Sequence, residues 1–403
     1  MLPKIRAGAV LYTKDTPKRG AMAQFARALI ARGWRVGGLV QEVFRDDQGR
    51  KIRVETIDIT TGARVPINQP TKEQLENKTC SLDPSALTEA GAALRQAIRD
   101  RVDLMVVEKF GEQEQEGGGL AQEILTSMAE GIPVLVMVPA GVIDIWQGFC
   151  GGAADLLACE EAALWRWWGA EAAREELARA LADEPVRRVV VGLNWTLVEG
   201  PDGCGLAHSP VRGTAGCRAL ANAGELASRS LAELAGLAHS WNPFEAAIGA
   251  AAINAHYNRY DLEGIAENGL DAFRGAPGPI TVVGRFPGLA ERLGEVRIIE
   301  CEPADGEFPP QAAPRLLRDS EAVIITASAF ANRSLAQLLA ACRGARVALV
   351  GPGTPLAPAL HAYGIEILAG QVVSDPEKAA HIITQGGAVR ALKQCCRMVS
   401  LRA

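Results

Sequence analysis

The stretch from Glu321 to Pro358, EAVIITASAFANRSLAQLLAACRGARVALVGPGTPLAP, constrains the fold more than any other part of the chain. Its continuous apolar runs, Ala322 to Thr326 and Arg346 to Val350, read as buried strands, and Arg333 to Cys342 between them reads as a helix. Strand, helix and strand in this order make a βαβ unit of a parallel sheet, covered on both faces. Ligands of such sheets sit beyond the carboxyl ends of the strands. The turn carrying Ser328 and Asn332, and the turn Gly351-Pro352-Gly353-Thr354-Pro355, therefore fall where a site is expected. Neither turn has the G-x-G-x-x-G spacing of a dinucleotide fingerprint.

At 403 residues the chain exceeds one ordinary core, and two or three domains are expected. With 48% hydrophobic and 22% charged residues it has a globular composition, and a net charge of -5 argues against a nucleic-acid partner. The opening residues lack a signal-peptide pattern and no apolar run of about eighteen residues occurs, so no membrane partner is expected and the cytoplasm is the default location. Nine cysteines are scattered without a C-x-x-C pair, which gives no support for a preformed zinc knuckle.

In the first third, Ala7 to Tyr12 reads as a strand, Gly20 to Arg32 as a helix and Arg35 to Val40 as a second strand. The loop between the first two, Thr13 to Gly20, sits where a phosphate loop would sit but lacks G-x-x-x-x-G-K-[ST], so a nucleotide is disfavoured. Lys14, Lys18 and Arg19 could attract an anion toward the following helix terminus, although exposed loop lysines are common. Lys51 to Ile67 alternates as a hairpin about Thr61-Gly62. Asp83 and Pro84 open a helix to about Arg101, Asp103 to Glu108 is a buried strand, and Pro133 to Val138 is another. The acidic loop Phe110 to Gly119 reads as a solvated segment or, alternatively, as a lid whose Glu112, Glu114 and Glu116 hold a hard cation.

Glu160 to Asp183 reads as one helix and as the domain joint, with Trp165, Trp167 and Trp168 packing between domains or subunits. Arg188 onward changes to strands around Pro201-Asp202-Gly203. Two helices follow, Leu226 to Ala238 and Pro243 to His256, the second so rich in alanine and glycine that another backbone must approach it closely. Ile280 to Arg285, Val296 to Glu300, the two strands of the opening stretch and Glu366 to Ala369 then give five strands of a doubly wound sheet. No Ser-His-Asp order or H-E-x-x-H stands out, and no catalytic residue is assigned.

Two resemblances accompany these residues. CSLDPSAL, DLMVVEKFGEQEQEGGG, IPVLVMVP and WQGFCGG, within residues 5 to 160, resemble an uncharacterised bacterial domain distantly similar to nucleoside-triphosphatases and associated with molybdenum transport and use. That family usually has asparagine where this chain has Glu108. From about Arg188 to the end, VGLNWT, GLA, SLAELA and EAAIGAAAIN, followed by the Asn332 turn and GPGTPL, resemble the heavy-metal chelation family. Its members join an enolase N-terminal-like half to a Rossmann-like half and are thought to act on metals or metal-bound organic ligands. Ala327 and Gly353 depart from it, where members commonly have Thr-Gly and serine.

The expected architecture is therefore α/β throughout: a degenerate P-loop-like parallel-sheet domain over 1–160, a linker helix with a small α+β enolase N-terminal-like domain over 161–260, and a Rossmann-like doubly wound domain over 261–403. The expected function is binding of a metal, an oxyanion such as molybdate, or a metal-bearing organic ligand, in molybdenum or other heavy-metal homeostasis or cofactor assembly. Asn194, Trp195, Asn254, Glu300, Thr326, Ser328, Asn332, Gly351, Pro352 and Thr354 are expected to line a cleft between the last two domains, with Trp195 packing on an organic ligand. Glu300, Cys301 and Glu302 could together meet a transition metal, or the carboxylates could instead cap a helix. Asn332 could serve both as a helix cap and as a ligand contact. Rival readings are a nucleotide-dependent enzyme driving metal insertion and a scaffold that docks a partner or a second copy of itself, as a homodimer, through the Trp165 to Trp168 patch.

Overall fold

The computed structural model describes residues 6–16, 20–71, 74, 83–210, 220, 222–342 and 344–403. They form two compact units, Met1–Trp167 and Trp168–Ala403. Among the described residues, the first unit holds a seven-stranded sheet of β1 (Ala7–Tyr12), β2 (Val36–Arg45), β3 (Lys51–Asp58), β4 (Arg64–Asn68), β5 (Leu104–Val107), β6 (Val134–Pro139) and β7 (Ala154–Ala158). Its order is β4-β3-β2-β5-β6-β1-β7. The five strands from β2 to β7 in that order pair in parallel, and the apolar runs of the inner strands β1, β5 and β6 are buried because helices cover the sheet, whereas the edge strand β7 is largely exposed. The core of one face includes Leu94, Phe110, Ile124 and Trp146.

The expected hairpin is β3 and β4, but β2 continues past Val40 to Arg45 and pairs antiparallel with β3, so the sheet has a three-stranded antiparallel wing. Gly38 makes the crossing feasible: its φ is +127°, and a Cβ there would lie 1.9 Å from the Val106 carbonyl oxygen. The acidic loop is also corrected. Glu112–Gln115 is a helical turn, and Glu114 is buried with its carboxylate accepting the N–H groups of Gly111 (2.8 Å) and Leu120 (3.0 Å). That carboxylate closes the turn, and it is not part of a cation lid.

The single linker helix is two, Glu161–Trp168 and Ala170–Arg179, broken at Gly169 with φ +79°. The units divide between Trp167 and Trp168. Trp165 packs edge-on against Phe25 (4.9 Å) with the Arg32 guanidinium over its ring, and Arg6 lies over Trp167, all within the first unit. Trp165 and Trp168 are buried, which removes them from the exposed docking patch a scaffold would need.

The second unit begins with an antiparallel meander, β8 (Arg188–Val191), β9 (Trp195–Glu199) and β10 (Cys204–His208). The run VVVGLNWTLVEG, expected as one strand, turns at Gly192 to Asn194. The expected Leu226 to Ala238 helix is shorter, Leu231–Gly236, flanked by 3-10 turns at Leu226–Ser228 and Leu237–His239. The Pro243–Tyr257 helix lies across the meander at the close approach its composition implies. A Cβ on Gly205 would sit 2.0 Å from the Ala251 carbonyl oxygen, and one on Gly249 would sit 2.0 Å from the Ala238 nitrogen.

The remaining strands are β11 (Ile280–Val283), β12 (Arg297–Ile299), β13 (Ala322–Thr326), β14 (Arg346–Val350), β15 (Ile367–Val373) and β16 (Cys396–Arg402), in the order β12-β11-β13-β14-β15-β16. The first five are parallel, in the doubly wound Rossmann-like arrangement, and the order reverses between β11 and β13. The sixth strand, β16, pairs antiparallel with β15 and was not anticipated. Among the described residues no helix is long and apolar enough to cross a membrane.

Candidate functional site

The crevice beyond the reversal between β11 and β13 is where a ligand of this sheet would sit. Gly284 ends β11 with φ +97°, and a Cβ there would come 2.9 Å from the Thr326 Cβ, so the glycine lets the two strand ends close up. From β13, Thr326 Oγ1 lies 3.4 Å from Ser328 Oγ and also accepts the Ser328 N–H at 3.4 Å. Both residues are half-buried. Next to them, Ala327 donates its N–H to the Val350 carbonyl, and Gly351, at φ +139°, donates to Ala369. Gly351 and the half-buried Pro352 thus border the same rim.

Ser328 is not in a plain turn but opens the short helix Ser328–Ala331. The following helix is Leu335–Ala341, so Asn332 does not cap an Arg333 helix. It ends the short helix, and its Oδ1 accepts from Ser334 N (3.0 Å) and Ser334 Oγ (2.7 Å). The side chain is exposed and fixes the turn between the two helices.

The proposed carboxylate and thiol set does not converge. Glu300 Oε1 accepts the N–H of its own neighbour Cys301 (2.8 Å), and Cys301 and Glu302 are exposed. Arg285 instead pairs with Glu307 (Nε to Oε1 3.0 Å) and donates to the Glu302 carbonyl oxygen, which holds the Glu307 carboxyl down to about 2. Among the described residues, no three His, Cys, Asp or Glu side chains are placed to hold a metal ion. Glu300 is engaged by the main chain, the Arg285 guanidinium is engaged by Glu307, and Glu300, Cys301 and Glu302 do not form a metal site.

A second group of expected site residues forms a sealed seam. Asn254 and Thr354 are fully buried, and Asn254 Nδ2 donates to the carbonyl oxygens of Leu206 (2.7 Å) and Gly353 (2.9 Å). One turn on, Asn258 donates from Nδ2 to Thr354 O (3.0 Å) and Gln371 O (3.2 Å) and accepts the Leu356 N–H on Oδ1 (2.9 Å). The helix thereby stitches β10 to the Gly351–Pro355 turn and β15 through the main chain. Asn254 and Thr354 therefore do not line an open cleft. Asn258 escaped the sequence reading, though its i, i+4 spacing from Asn254 in an otherwise alanine-rich helix is the signal that would have found it.

Asn194 donates to the Gly386 carbonyl (2.8 Å), and Trp195 is buried in the core with Leu197, Cys204, Leu206 and Ile383, edge-on to His208 at 5.5 Å. Trp195 is enclosed by that core, so it is not the ligand-facing ring. Burial lowers the His208 pKa, consistent with a structural imidazole.

In the first unit, Lys14 is exposed in a turn held by Thr13 and Thr16, while Lys18 and Arg19 lie outside the described residues. The notable group is Glu108 at the carboxyl end of β5. Its Oε2 accepts the Gln41 N–H (3.0 Å). Burial pushes its carboxyl up to about 7, against that hydrogen bond and the positive charges of Arg27 and Lys109.

Comparison with known proteins follows this division. Residues 7–167 match the model of a protein family of unknown function, DUF2478. Residues 174–257 and 270–402 match two models, each described as "putative heavy-metal chelation". The chain is a fusion of a DUF2478 domain with the two halves of the heavy-metal chelation family. A solved member from Desulfitobacterium hafniense, described as having unknown function, is 28% identical with a TM-score of 0.52, covering 58% of this chain and 98% of that one. Another from Pyrococcus horikoshii is 20% identical with a TM-score of 0.49, over 57% and 98%. A molybdenum import ATP-binding protein of Bradyrhizobium diazoefficiens is 35% identical over 185 residues, 46% of this chain. The chain spans only 20% of that relative's length.

Proposed function

We propose that the second unit binds an oxyanion, molybdate included, or a metal already wrapped in an organic ligand, at the crevice beyond β11, β13 and β14. The observation that carries this reading is the neutral rim formed by the Thr326 and Ser328 hydroxyls, 3.4 Å apart, next to the positive-φ Gly351. Hydroxyls with spare hydrogen-bonding capacity suit the oxygens of an anion or the polar edge of a chelator. A bare transition-metal ion requires converging thiolate, imidazole or carboxylate ligands, and no such trio occurs among the described residues. The metal of a chelation protein with this rim would arrive dressed in its own ligands.

The family description and the molybdenum-import relative support the same class of cargo, and we infer a place in molybdenum or other heavy-metal homeostasis or cofactor assembly. The test is calorimetric titration of the full chain with molybdate, nickel, cobalt, ferrous iron and a pterin, with mass spectrometry of whatever copurifies. Saturable binding of molybdate or the organic ligand is expected, weakened by Thr326→Val combined with Ser328→Ala. Silence across the panel, or heat from the bare cations alone, would remove the proposal.

A further inference from the structure

We propose that Trp241 and Arg333 form a stacking platform beside this crevice, and that its ligand therefore carries a planar conjugated ring; the inference rests on the reading of the site given above. Trp241 is 89% exposed, whereas Trp34, Trp146, Trp165, Trp168 and Trp195 are all buried. An indole is among the largest apolar surfaces a side chain can bring, and leaving one in water forgoes that burial.

The segment that carries the ring is nonetheless held in place. On one side, Ser240 Oγ donates to Glu245 and accepts the Asn242 N–H at 3.0 Å. On the other, Asn242 Oδ1 caps the Pro243–Tyr257 helix by accepting the Phe244 N–H at 3.1 Å. Trp241 thus projects from a segment pinned at both neighbours. A ring fixed in this way loses little conformational freedom when a ligand lies on it.

Arg333 supplies the second element. Its guanidinium carbon lies 4.5 Å from the centre of the Trp241 ring, over its face, and its Nη1 donates to the Ser240 carbonyl at 3.4 Å. Arg333 adopts φ +68°, a left-handed conformation that non-glycine residues seldom take. The Asn332 side chain braces this turn through Ser334. The turn is the direct continuation of β13 through Ser328–Ala331, so Arg333 and the hydroxyl rim belong to one short run of chain, and Trp241 meets that run through Arg333.

An exposed indole with a guanidinium on one face matches a flat π system that also has carbonyl or anionic atoms at its edge. A free oxyanion would use the arginine and gain nothing from the indole. Of the two ligand classes admitted above, the platform selects the metal-bearing organic ligand.

The experiment measures binding of neopterin and, separately, of molybdate alone, by calorimetry on the full chain as wild type, Trp241→Ala and Trp241→Phe. The expected result is neopterin binding that falls about tenfold or more in Trp241→Ala, the range for loss of one stacking aromatic. Trp241→Phe should stay within about threefold of wild type, since a ring remains. Thermal melting should be unchanged in both variants because the indole faces water. Equal neopterin affinity in wild type and Trp241→Ala would overturn the platform and leave the function reading standing, as would wild-type binding of molybdate without neopterin. Silence toward both probes would overturn the two together.

Discussion

The second unit contains two polar centres built from the same kinds of residue, and they are put to opposite uses. At the seam, Asn254, Asn258 and Thr354 are fully buried, and the Asn258 amide is spent entirely on three main-chain partners in two segments. At the rim, the Thr326 and Ser328 hydroxyls are half-buried and, among the described residues, bond to each other and to the Ser328 N–H, at 3.4 Å. A buried amide that satisfies backbone groups removes alternatives to the native packing. A strand-end hydroxyl with long bonds keeps its capacity for something else. Polarity near a sheet's carboxyl edge is therefore not a sign of a site until its hydrogen bonds have been accounted for.

The strongest way to break this contrast is at the seam's closest approach. Gly205→Val would force side-chain atoms to within 2.0 Å of the Ala251 carbonyl and 2.3 Å of the Ala255 nitrogen, both of them main chain. The strand and helix must then separate, and a loss of roughly 4 kcal/mol or more in urea unfolding is expected. Asn258→Ala comes next. It leaves the Leu356 N–H and the Thr354 and Gln371 carbonyls buried without their partner, at a cost of roughly 3 kcal/mol. A urea midpoint unchanged in Asn258→Ala would show that the seam is not structural.

Much of the scaffold was legible because it obeys one-dimensional rules. β1, β13 and β14 are continuous apolar runs since both faces of their sheets are covered, and the closeness of the Pro243–Tyr257 helix follows from the small side chains of its alanines and its glycine. Edge elements were harder. β16 is an edge strand in which only Val399 and Ser400 are buried, and the end of β2 from Gln41 to Arg45 pairs only with β3, so neither carries the buried-strand signature. The sign of a dihedral is not written in composition, which is why the break at Gly169 and the left-handed Arg333 were invisible. Thr326, Ser328 and Gly351 could be placed beside one another from sequence because they follow the carboxyl ends of neighbouring strands. Asn254, Thr354 and Trp195 were misplaced because sequence shows that a side chain is polar or aromatic, not which way its strand or helix turns it.

Glu108 extends the comparison to the first unit, where a strand end carries a buried carboxyl in place of spare hydroxyls. Its pKa is raised from an ordinary 4.5 to about 7. Between these values the native state holds a proton that the unfolded chain has released, so the stability present below 4.5 is lost as pH rises through 7. Glu108→Gln keeps an acceptor for the Gln41 N–H and cannot ionise. The variant is expected to match wild type near pH 4.5 and to exceed it by on the order of 2 kcal/mol at pH 8. A constant difference across that range, read from urea midpoints at several pH values, would mean that the group does not titrate as its burial implies.

The smallest stability effect is expected at the rim itself, and it is the most discriminating. Thr326→Val keeps the shape that packs against Gly284 and removes only a hydroxyl whose partners lie at 3.4 Å. Ser328→Ala removes a half-buried hydroxyl from the first turn of a short helix. Each should move the unfolding free energy by less than about 0.5 kcal/mol, several times less than Asn258→Ala. If these hydroxyls instead melted the unit as severely as the asparagine, they would belong to the packing and the rim would have no capacity left for a ligand. Near-silence in stability joined to weakened ligand binding is the combination that separates a site from a seam.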